Sequence, residues 1–375
     1  MSEEPTKLRW GILGAANIAR KNWKAIRNSG NSTVVAVASR DLKRSRAFID
    51  QCQAEAPMET TPKALASYEE LVAARDVDAV YIPLPTGIRK EWVIRCAEAG
   101  KHIVCEKPCA ASVADLREML AVCRDRKVQF MDGVMFMHSR RLERLRRVLE
   151  DQSSVGRIKR ITSAFSFLAE DDFFSQNIRG NSALEPHGCL GDLGWYCIRL
   201  ALTLMGEELP GRVIGRILSE TSGRNSPAPV PTEFSGELLF NNGVSSGFYC
   251  SFLSANEQWA QVTGDRGCVH MSDFVLPFLG NEVAFETISA EFNVSGCDFN
   301  MEARRERFAV PEHSNSYPDS QETNLFRNFA AQVLSGALNE AWPDMALKTQ
   351  VVMNACLQSA RGESGAENLR SGAEH

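Results

Sequence analysis

The sequence predicts an α/β chain in two parts, an N-terminal doubly wound parallel sheet followed by an α+β domain with an open, mostly antiparallel sheet. Three observations lead to this prediction. Strand-like and helix-like segments alternate through the first third of the chain, a glycine turn follows the first strand, and strand-like segments succeed one another further on. A chain of 375 residues exceeds one ordinary core. We therefore place the domains at residues 1–133 and 134–361, with a frayed polar tail at 362–375.

The composition excludes several classes of protein. Apolar and charged residues make up 44% and 24% of the chain, and no apolar run approaches the ~20 residues that span a bilayer. The polar start, MSEEPTKLRW, lacks the apolar core of a secretory signal, so a cytoplasmic protein is expected. A net charge of −5 with dispersed basic residues argues against a nucleic-acid partner. The 11 cysteines form no C-x-x-C pair and are expected to be free thiols.

The first strand, LRWGIL at residues 8–13, leads through a glycine turn into a helix. Measured against G-x-G-x-x-G/A, the first glycine is kept and alanines take the other two places, which makes a looser match. Further strands at 33–38 and 78–82 alternate with helices at 41–53 and 86–99, and this alternation is typical of a parallel nucleotide-binding sheet. The residues expected at the pyrophosphate are Gly14, Ala16, Asn17 and Ile18.

The residues after the second strand bear on the choice of cofactor. An acidic residue there would bind the ribose hydroxyls of NAD, whereas this strand ends in Ser39 and Arg40. Lys43 and Arg44 follow one helical turn further on. An arginine fork suits the 2′-phosphate of NADP, so NADP is favoured over NAD. The alternative is that these cations form a solvated helix face.

The third strand ends in a proline-rich loop. Its prolines cannot continue a strand ladder, but they can hold a loop against a flat ligand. We assign this loop to the nicotinamide-ribose side of the cofactor. It consists of Pro83, Leu84, Pro85 and Thr86.

The segment KHIVCEKPCA, residues 101–110, brings a lysine to the same edge of the predicted sheet. Residues 102–105 have the continuous apolar character of a buried parallel strand, and helical spacing follows at 112–124. Lys107 therefore stands at the carboxyl end of a strand, where ligands bind in open α/β sheets. Pro108 restricts Lys107 to an extended backbone or places the Lys–Pro bond in the cis form. The alternative is a solvated lysine at a strand end.

Beyond residue 134, strands follow strands, which indicates an antiparallel sheet. A helix at 140–150 opens this part, and helices at 322–334 and 345–361 close it. Segments 222–231 and 311–319 are loops by composition. The predicted strands are 158–167, 213–218, 233–240, 243–251, 258–263, 267–272 and 283–288.

A second candidate site lies in GCLGDLGWY, residues 188–196, which opens a helix. If helical turns have begun by Asp192, its carboxylate and the phenol of Tyr196 lie on one face, one turn apart, and point into the same cleft. The glycines permit close approach of other backbone. The alternative is structural, with Asp192 as a helix N-terminal residue and Tyr196 as a core residue.

Three segments together resemble one family of enzymes. GILGAANIA, VYIPLPT and HIVCEKP, in this order, look like the glucose-fructose oxidoreductase, inositol dehydrogenase and MocA-like (Gfo/Idh/MocA) family, and the resemblance covers most of the chain. It implies a Rossmann domain and a second α/β domain whose sheet serves substrate binding and oligomer contacts. One departure concerns the proline-rich loop. Many members have asparagine and, three residues on, histidine where Thr86 and Arg89 stand here, which leaves open how the nicotinamide ribose is held.

The later motif points to one branch of that family. GDLGWYCIR is similar to the D-x-G-x-Y motif of glucose-fructose oxidoreductase and dimeric dihydrodiol dehydrogenase, and with EDDFFSQNIR it looks closest to uncharacterised plant and bacterial members. The resemblance implies Tyr196 as the acid/base, with Lys107 and Asp192 assisting and Glu106 beside Lys107 at the cofactor. A tyrosine pKa of about 10 is too high for a base at neutral pH. A neighbouring ammonium group such as that of Lys107 would lower it.

Two other residues are weaker candidates for substrate contact. His138 follows the predicted crossover between the domains and could face a substrate, but a lone histidine beside an arginine pair is as readily structural. Arg179 is a loop cation that could hold a polar substrate, with surface solvation as the alternative. His187 and Cys189 have neither the spacing nor the ligand count of a zinc site, so no metal is expected.

Together these features predict an NADP-dependent oxidoreductase that interconverts a secondary alcohol and a carbonyl on a sugar, polyol or cyclic diol. The alternative is a catalytically inactive NAD(P)-binding protein of the same fold that senses a ligand. The presence of Lys107, Asp192 and Tyr196 together argues for catalysis. An open sheet must cover one face with something other than its own helices, and a large exposed apolar face is unusual on a monomer. A homodimer through that sheet is therefore expected.

Overall fold

The computed structural model describes residues 7–362, so the predicted tail lies outside the described residues except for its first position. Its first helices and strands, in chain order, are β1 (Leu8–Leu13), α1 (Asn17–Asn28), β2 (Ser32–Ala38), α2 (Leu42–Glu55), β3 (Lys63–Leu65), α3 (Tyr68–Ala73), β4 (Ala79–Ile82), α4 (Thr86–Glu98), β5 (His102–Cys105), α5 (Val113–Asp125) and β6 (Phe130–Asp132). The elements that follow are α6 (Arg140–Asp151), β7 (Ile158–Leu168), α7 (Phe173–Gln176), α8 (Trp195–Leu204), β8 (Arg212–Thr221), β9 (Val230–Leu239), β10 (Ser245–Ser251), β11 (Leu253–Glu257), β12 (Ala260–Gly264), β13 (Cys268–Met271), β14 (Glu282–Ser295), β15 (Asp298–Pro311), α9 (Gln321–Leu334) and α10 (Ala341–Arg361). Among the described residues, no helix is long and apolar enough to cross a membrane.

The chain forms two compact units, and neither is continuous in sequence. The predicted domains at 1–133 and 134–361 are continuous stretches, whereas these units are not, so the domain limits stay a prediction. The first unit holds the described part of Met1–His138, together with Ala183–Pro186 and His313–Gln350. The second unit holds Ser139–Ser182, His187–Glu312 and the described part of Val351–His375.

The first unit is built on a six-stranded parallel sheet. Its strand order is β3-β2-β1-β4-β5-β6, so the order reverses between β1 and β4 as in a doubly wound fold. The predicted N-terminal fold class is therefore confirmed. The sequence reasoning missed β3 and α3, because three and six residues carry too little periodic pattern to be recognised.

Helix α9, far along the chain from the parallel sheet, completes the core of the first unit. The ring of Trp10 on β1 contacts Phe326 and Phe329 of α9, with ring centroids 5.2 and 5.3 Å apart. All three side chains are at most 1% exposed. Burial of side chains this large contributes on the order of 2–3 kcal/mol each. The helix is therefore part of the hydrophobic core under the parallel sheet.

The second unit contains a nine-stranded sheet that is mixed but mostly antiparallel, as predicted. Its order is β15-β14-β13-β12-β7-β10-β9-β8, and β11 pairs with β7 outside this path. The pair β7 and β10 is parallel, and the neighbouring pairs are antiparallel. Since successive side chains of a strand point to opposite faces, each cross-strand row of this sheet samples one face.

The two faces of this sheet differ in chemistry. A buried, largely apolar row crosses it through Val213, Leu238, Ser246, Ile161, Val262, Val269 and Thr287. A less buried and mostly polar row crosses the other face through Ile214, Glu237, Gly247, Thr162, Gln261, His270, Glu286 and Arg307. This row is mostly polar and so is compatible with contact with water, and the homodimer stays a prediction.

The hairpin of β14 and β15 extends beyond the rest of the sheet. The predicted strand at 283–288 continues to Ser295, and β15 was not predicted at all. Residues 290–307 are exposed on both faces of this hairpin, so they lack the alternation that marks a half-buried strand. Its tip nevertheless carries apolar side chains on one face, at Phe292, Val294, Phe299 and Met301, each 55–69% exposed.

Candidate active site

The turn after β1 has the backbone that a dinucleotide-binding turn requires. Gly14 has a φ of 122°, and a Cβ atom there would lie 3.0 Å from Leu84 Cδ2, so both conformation and space call for glycine. Ala16 precedes α1 and provides no side-chain cap for it. Asn17 and Ile18 are exposed in the first turn. The N-terminus of α1 is therefore arranged to receive an anion.

The end of β2 separates the predicted cofactor residues into two groups. Ser39 is buried, and its hydroxyl donates to Asp41 O at 2.6 Å and lies 2.9 Å from Ser45 Oγ, so it holds the local turn. The Asp41 carboxylate caps α2 by accepting from Arg44 N at 2.8 Å. Arg40 and Arg44 are exposed, and Arg44 Nη2 lies 3.5 Å from Ala15 O in the β1 turn. Of the predicted residues here, Arg40 and Arg44 are exposed and Ser39 is buried, and their assignment to the cofactor phosphate stays a prediction.

The proline-rich loop after β4 is fastened to a distant segment of the same unit. Leu84 and Thr86 are buried, at 4% and 2% exposure. The Glu185 carboxylate accepts hydrogen bonds from Thr86 N at 3.1 Å and from Thr86 Oγ1 at 2.6 Å. Gly87 N donates to Leu184 O at 2.9 Å, and a Cβ on Gly87 would collide with Ala183 O. Sequence reasoning missed Glu185, since no local pattern announces a contact 99 residues away.

The turn that carries Lys107 follows β5, as predicted, and the Lys107–Pro108 bond is cis. The Glu106 carboxylate accepts a hydrogen bond from a tyrosine hydroxyl, which in turn accepts one from an asparagine amide. Tyr81 Oη donates to Glu106 Oε1 at 2.6 Å and accepts from Asn22 Nδ2 at 2.6 Å. Burial, together with the neighbouring Glu106 carboxylate, raises the pKa of Tyr81 well above its usual value, so its hydroxyl stays a donor.

The second candidate motif, in the second unit, begins with a π-helical turn over Leu190–Gly194 that runs into α8. Helical backbone has therefore begun by Asp192, although its first turn is π-helical and wider than an α-helical turn. That Asp192 and Tyr196 point into the same cleft stays a prediction. Gly188 has a φ of 50° and lies so close to Pro231 O that no Cβ would fit. The predicted close backbone approach is thus present at Gly188.

Asp192 and Tyr196 are held by different neighbours. Arg179 forms a two-point ion pair with Asp192, with Nε to Oδ2 at 2.6 Å and Nη2 to Oδ1 at 3.3 Å. The Asp192 side chain is 17% exposed and that of Arg179 is 37% exposed. The Tyr196 ring is 5% exposed and meets Phe165 edge to face at 5.6 Å. The structure thus brings Arg179 and Asp192 together, which the sequence did not predict.

The remaining predicted residues are distributed between the units. His138 belongs to the first unit, where Nδ1 lies 3.1 Å from Asn328 Nδ2 and the ring lies 6.3 Å from that of Trp342. Lys107 also belongs to the first unit, whereas Arg179, Asp192 and Tyr196 belong to the second. Their assignment to one reaction centre stays a prediction.

The cysteines show how burial controls thiol chemistry here. All eleven are free, and nine are buried. Burial raises the pKa of Cys96 to about 12 and that of Cys52 to about 11, so these thiols stay protonated and act as small apolar groups. Among residues 7–362 there is no group of three or more His, Cys, Asp or Glu side chains placed to hold a metal ion.

Comparison with known proteins gives the same picture for both halves of the chain. Residues 8–134 match an oxidoreductase family with an NAD-binding Rossmann fold, and residues 142–270 match the GFO/IDH/MocA C-terminal domain. The chain is 31% identical to trans-1,2-dihydrobenzene-1,2-diol dehydrogenase of Mus musculus over 78% of its own length and 83% of that enzyme. It is also 31% identical to D-xylose 1-dehydrogenase (NADP(+)) 2 of Haloferax volcanii, covering 69% and 74% of the two chains.

Solved structures extend the likeness to the whole fold. A 3-ketoreductase from Actinomadura kijaniata, in complex with TDP-benzene and NADP, matches with a TM-score of 0.74 and 22% identity, over 94% of this chain and 98% of that one. At this identity the likeness shows the fold alone.

Fold, motifs and relatives define an NAD(P)-dependent oxidoreductase with a Rossmann unit and a second, sheet-based unit. The chain belongs to the Gfo/Idh/MocA oxidoreductase family. The predicted family, fold class and enzyme class are thereby confirmed.

Proposed function

We propose that this protein is an NADP-dependent oxidoreductase that interconverts a secondary alcohol and a carbonyl on a sugar, polyol or cyclic diol. The observation that carries the proposal is the chemistry shared by the relatives. A benzene-diol dehydrogenase, a xylose dehydrogenase and a dTDP-sugar 3-reductase are each named for a hydroxyl or carbonyl carbon of a ring molecule. The position of Lys107 at the carboxyl edge of the parallel sheet supports it.

NADP is the cofactor, and the residues present fit it. Arg40 and Arg44 are exposed after β2, Arg44 lies 3.5 Å from Ala15 O of the β1 turn, and the neighbouring acid Asp41 is engaged as the cap of α2. The adenosine phosphate is held by these two arginines and the pyrophosphate by the N-terminus of α1. When bound, the nicotinamide accepts or supplies the hydride.

The residues of this chain supply the proton and the positioning. Tyr196 is the acid/base at the substrate oxygen, and Lys107 and Asp192 assist it, on the strength of the family resemblance. The ammonium group of Lys107 favours the phenolate form of Tyr196 by charge. Arg179 orients the Asp192 carboxylate through its two-point contact. Burial of Tyr196 against Phe165 limits the water that competes for the phenol.

The test is a screen of sugars, polyols and ring diols with NADP, and of the matching carbonyl compounds with NADPH, followed at the absorbance of the reduced nicotinamide. Turnover of any of them supports the proposal. Tight NADPH binding with no turnover across the whole screen would instead support the ligand-sensing alternative.

We further propose that the protein forms a homodimer through the sheet of the second unit, with the second copy covering the hairpin of β14 and β15. A two-stranded ribbon exposed on both faces is marginally stable in water, and its apolar tip adds a reason for a partner. Self-pairing about Ala303 would set Glu302 of each copy opposite Arg304 of the other, which is the charge complementarity that a two-fold axis requires.

Light scattering of the parent and of the double variant Phe292→Ser/Phe299→Ser tests this assembly. The parent is expected at about twice 41.5 kDa and the variant at 41.5 kDa. The variant Leu168→Ser serves as a control, because Leu168 is 67% exposed outside the hairpin and should leave the mass unchanged. A monomeric parent at micromolar concentration would refute the proposal.

A further inference from the structure

Arg89 is buried in the first unit although nothing in the proposed chemistry uses it. It lies in the first turns of α4, directly after the proline-rich loop, and is 4% exposed. A buried guanidinium group is costly unless its donors are satisfied, so its hydrogen bonds indicate its role.

Arg89 donates to three backbone carbonyls on two neighbouring loops. Its Nε donates to Leu84 O at 2.6 Å, and its Nη1 donates to Glu106 O at 2.9 Å and also to Pro108 O. Leu84 follows β4, and the other two acceptors follow β5, which is the strand next to β4 in the sheet. One guanidinium group therefore ties together the two strand ends that face the cofactor edge.

The two acceptors after β5 stand on either side of Lys107. The carbonyl of Glu106 is part of the same planar peptide as the N–H of Lys107, so anchoring that carbonyl fixes the orientation of the whole peptide unit. The Lys107 N–H in turn lies 3.3 Å from Glu106 Oε2, whose partner oxygen accepts from Tyr81. Arg89 from one side and Tyr81 from the other thus define the direction in which the Lys107 side chain leaves the backbone.

We propose that Arg89 is the positioning residue for Lys107, acting through the carbonyls of Glu106 and Pro108 rather than by touching cofactor or substrate. The planar fork of arginine has Nε and Nη1 donors that point in different directions, which is what spanning two loops requires. Lysine offers a single nitrogen and cannot reach both loops. The buried position also means that the guanidinium group of Arg89 is not exposed to contact a bound cofactor.

This inference uses the proposed function for one of its two readouts, so the experiment includes a second that needs no turnover. The variants are Arg89→Met, Arg89→Lys, Lys107→Met and the double variant Arg89→Met/Lys107→Met. Arg95→Met is the matched control, since Arg95 lies on the same helix but is exposed, forms ion pairs with Glu69 and Glu91, and stacks over the Trp92 ring. NADPH titration and circular dichroism verify that each variant is folded.

In the turnover assay, Arg89→Met is expected to lower kcat by about 10- to 100-fold, because a displacement of about 1 Å at a catalytic group has that effect. The kcat of Arg89→Lys should lie between those of Arg89→Met and the parent, and the kcat of Arg95→Met should equal that of the parent. In the Lys107→Met background, Arg89→Met should change the residual rate less than about threefold. A full additional loss in that background would overturn the proposal, because Arg89 would then act on the fold generally.

The second readout is the rate at which each lysine reacts with trinitrobenzenesulfonate, measured by peptide mass spectrometry. Arg89→Met should change the labelling rate of Lys107, relative to that of the partly exposed Lys90 on α4, by more than about threefold. Arg89→Lys should change it in the same direction. Parental labelling of Lys107 in both folded variants would overturn the proposal even if no substrate has been found, whereas an inactive parent alone would count only against the proposed function.

Discussion

The two compact units hold their candidate residues in opposite ways. In the first unit, Lys107 follows a buried strand, and its turn is braced by groups that are themselves buried, Arg89 and Tyr81. In the second unit, Asp192 and Tyr196 lie on a helix that begins with a wide turn, and the ion pair from Arg179 is partly open to water. The first unit therefore relies on a rigid backbone network and the second on side-chain contacts.

This difference predicts where a substitution stops chemistry and where it alters binding or stability. Removal of a group that exchanges the proton should have the largest effect. Changes at the braced turn and at the phosphate end should follow, and changes at the opposite edge of the parallel sheet should affect stability alone.

Tyr196→Phe should produce the largest loss. The substitution keeps the ring packed against Phe165 and removes only the hydroxyl, so kcat should fall by about 10²–10⁴-fold while NADPH affinity is kept. Steady-state kinetics on the substrate found by the screen, with a cofactor titration, make the measurement. Tyr249→Phe is the control, because that hydroxyl bonds Glu233 within the sheet. Near-parental turnover of Tyr196→Phe would mean that another group exchanges the proton, and His138 would then be the residue to test.

Lys107→Met should lower kcat by about 10- to 100-fold and raise the apparent pKa of the remaining activity, since the cation that favours phenolate is gone. The pH-rate profiles of parent and variant give both quantities. Lys90→Met is the control, because Lys90 pairs with Asp115 and Glu118 at the surface. An unchanged pH profile with reduced kcat would mean that Lys107 positions substrate and does not tune Tyr196.

Arg40→Ala should remove most of the preference for NADPH over NADH. A charge-assisted phosphate contact contributes about 1.5–3 kcal/mol, which is about a ten- to hundredfold difference in affinity. Fluorescence titration of both cofactors measures it, and NADH affinity should stay parental. Arg46→Ala, also exposed on α2, provides the control. Equal affinities for the two cofactors in the parent would contradict the assignment of NADP.

Asp78→Asn should have the smallest effect and should leave kcat unchanged. Asp78 precedes β4 at the edge opposite Lys107 and accepts from Arg9 Nε at 2.8 Å and Nη2 at 2.6 Å. The loss of a partly exposed pair costs about 1 kcal/mol, or about 2–4 °C in Tm. Thermal unfolding of parent and variant measures it.

The pH dependence of that difference follows from the pKa of Asp78. Burial alone would raise this pKa, but the hydrogen bonds and charge of Arg9 outweigh burial and hold it below its usual value. A carboxyl group whose pKa is lowered on folding stabilises the protein above its unfolded pKa of about 3.9. The difference in Tm should therefore be full at neutral pH and shrink as the pH falls below about 4. A difference that grows at low pH would contradict this account.

Much of the first unit could be predicted because its pattern is local. Short apolar runs that alternate with helical spacing have few alternative folds, and the rule that ligands bind at the carboxyl ends of parallel strands placed Lys107 and the β1 turn. The preference for NADP over NAD could also be predicted, because Arg40 and Arg44 lie close to the end of a predicted strand. In the second unit the half-buried strands were predicted from their alternation of apolar and polar residues. Strand β15 was not predicted, because neither of its faces is buried for most of its length.

The sequence by itself determined the family and the two-part architecture and identified the candidate residues for the chemistry, because each depends on local patterns of about ten residues. Only the tertiary structure decided what holds them. Glu185 accepts a hydrogen bond from Thr86, which is 99 residues away, and Arg179 forms an ion pair with Asp192. Arg89 is buried and donates to three backbone carbonyls. From sequence alone, a charged side chain is expected to be exposed to solvent. Whether it is instead buried and bonded depends on which backbone groups the fold leaves in need of a donor.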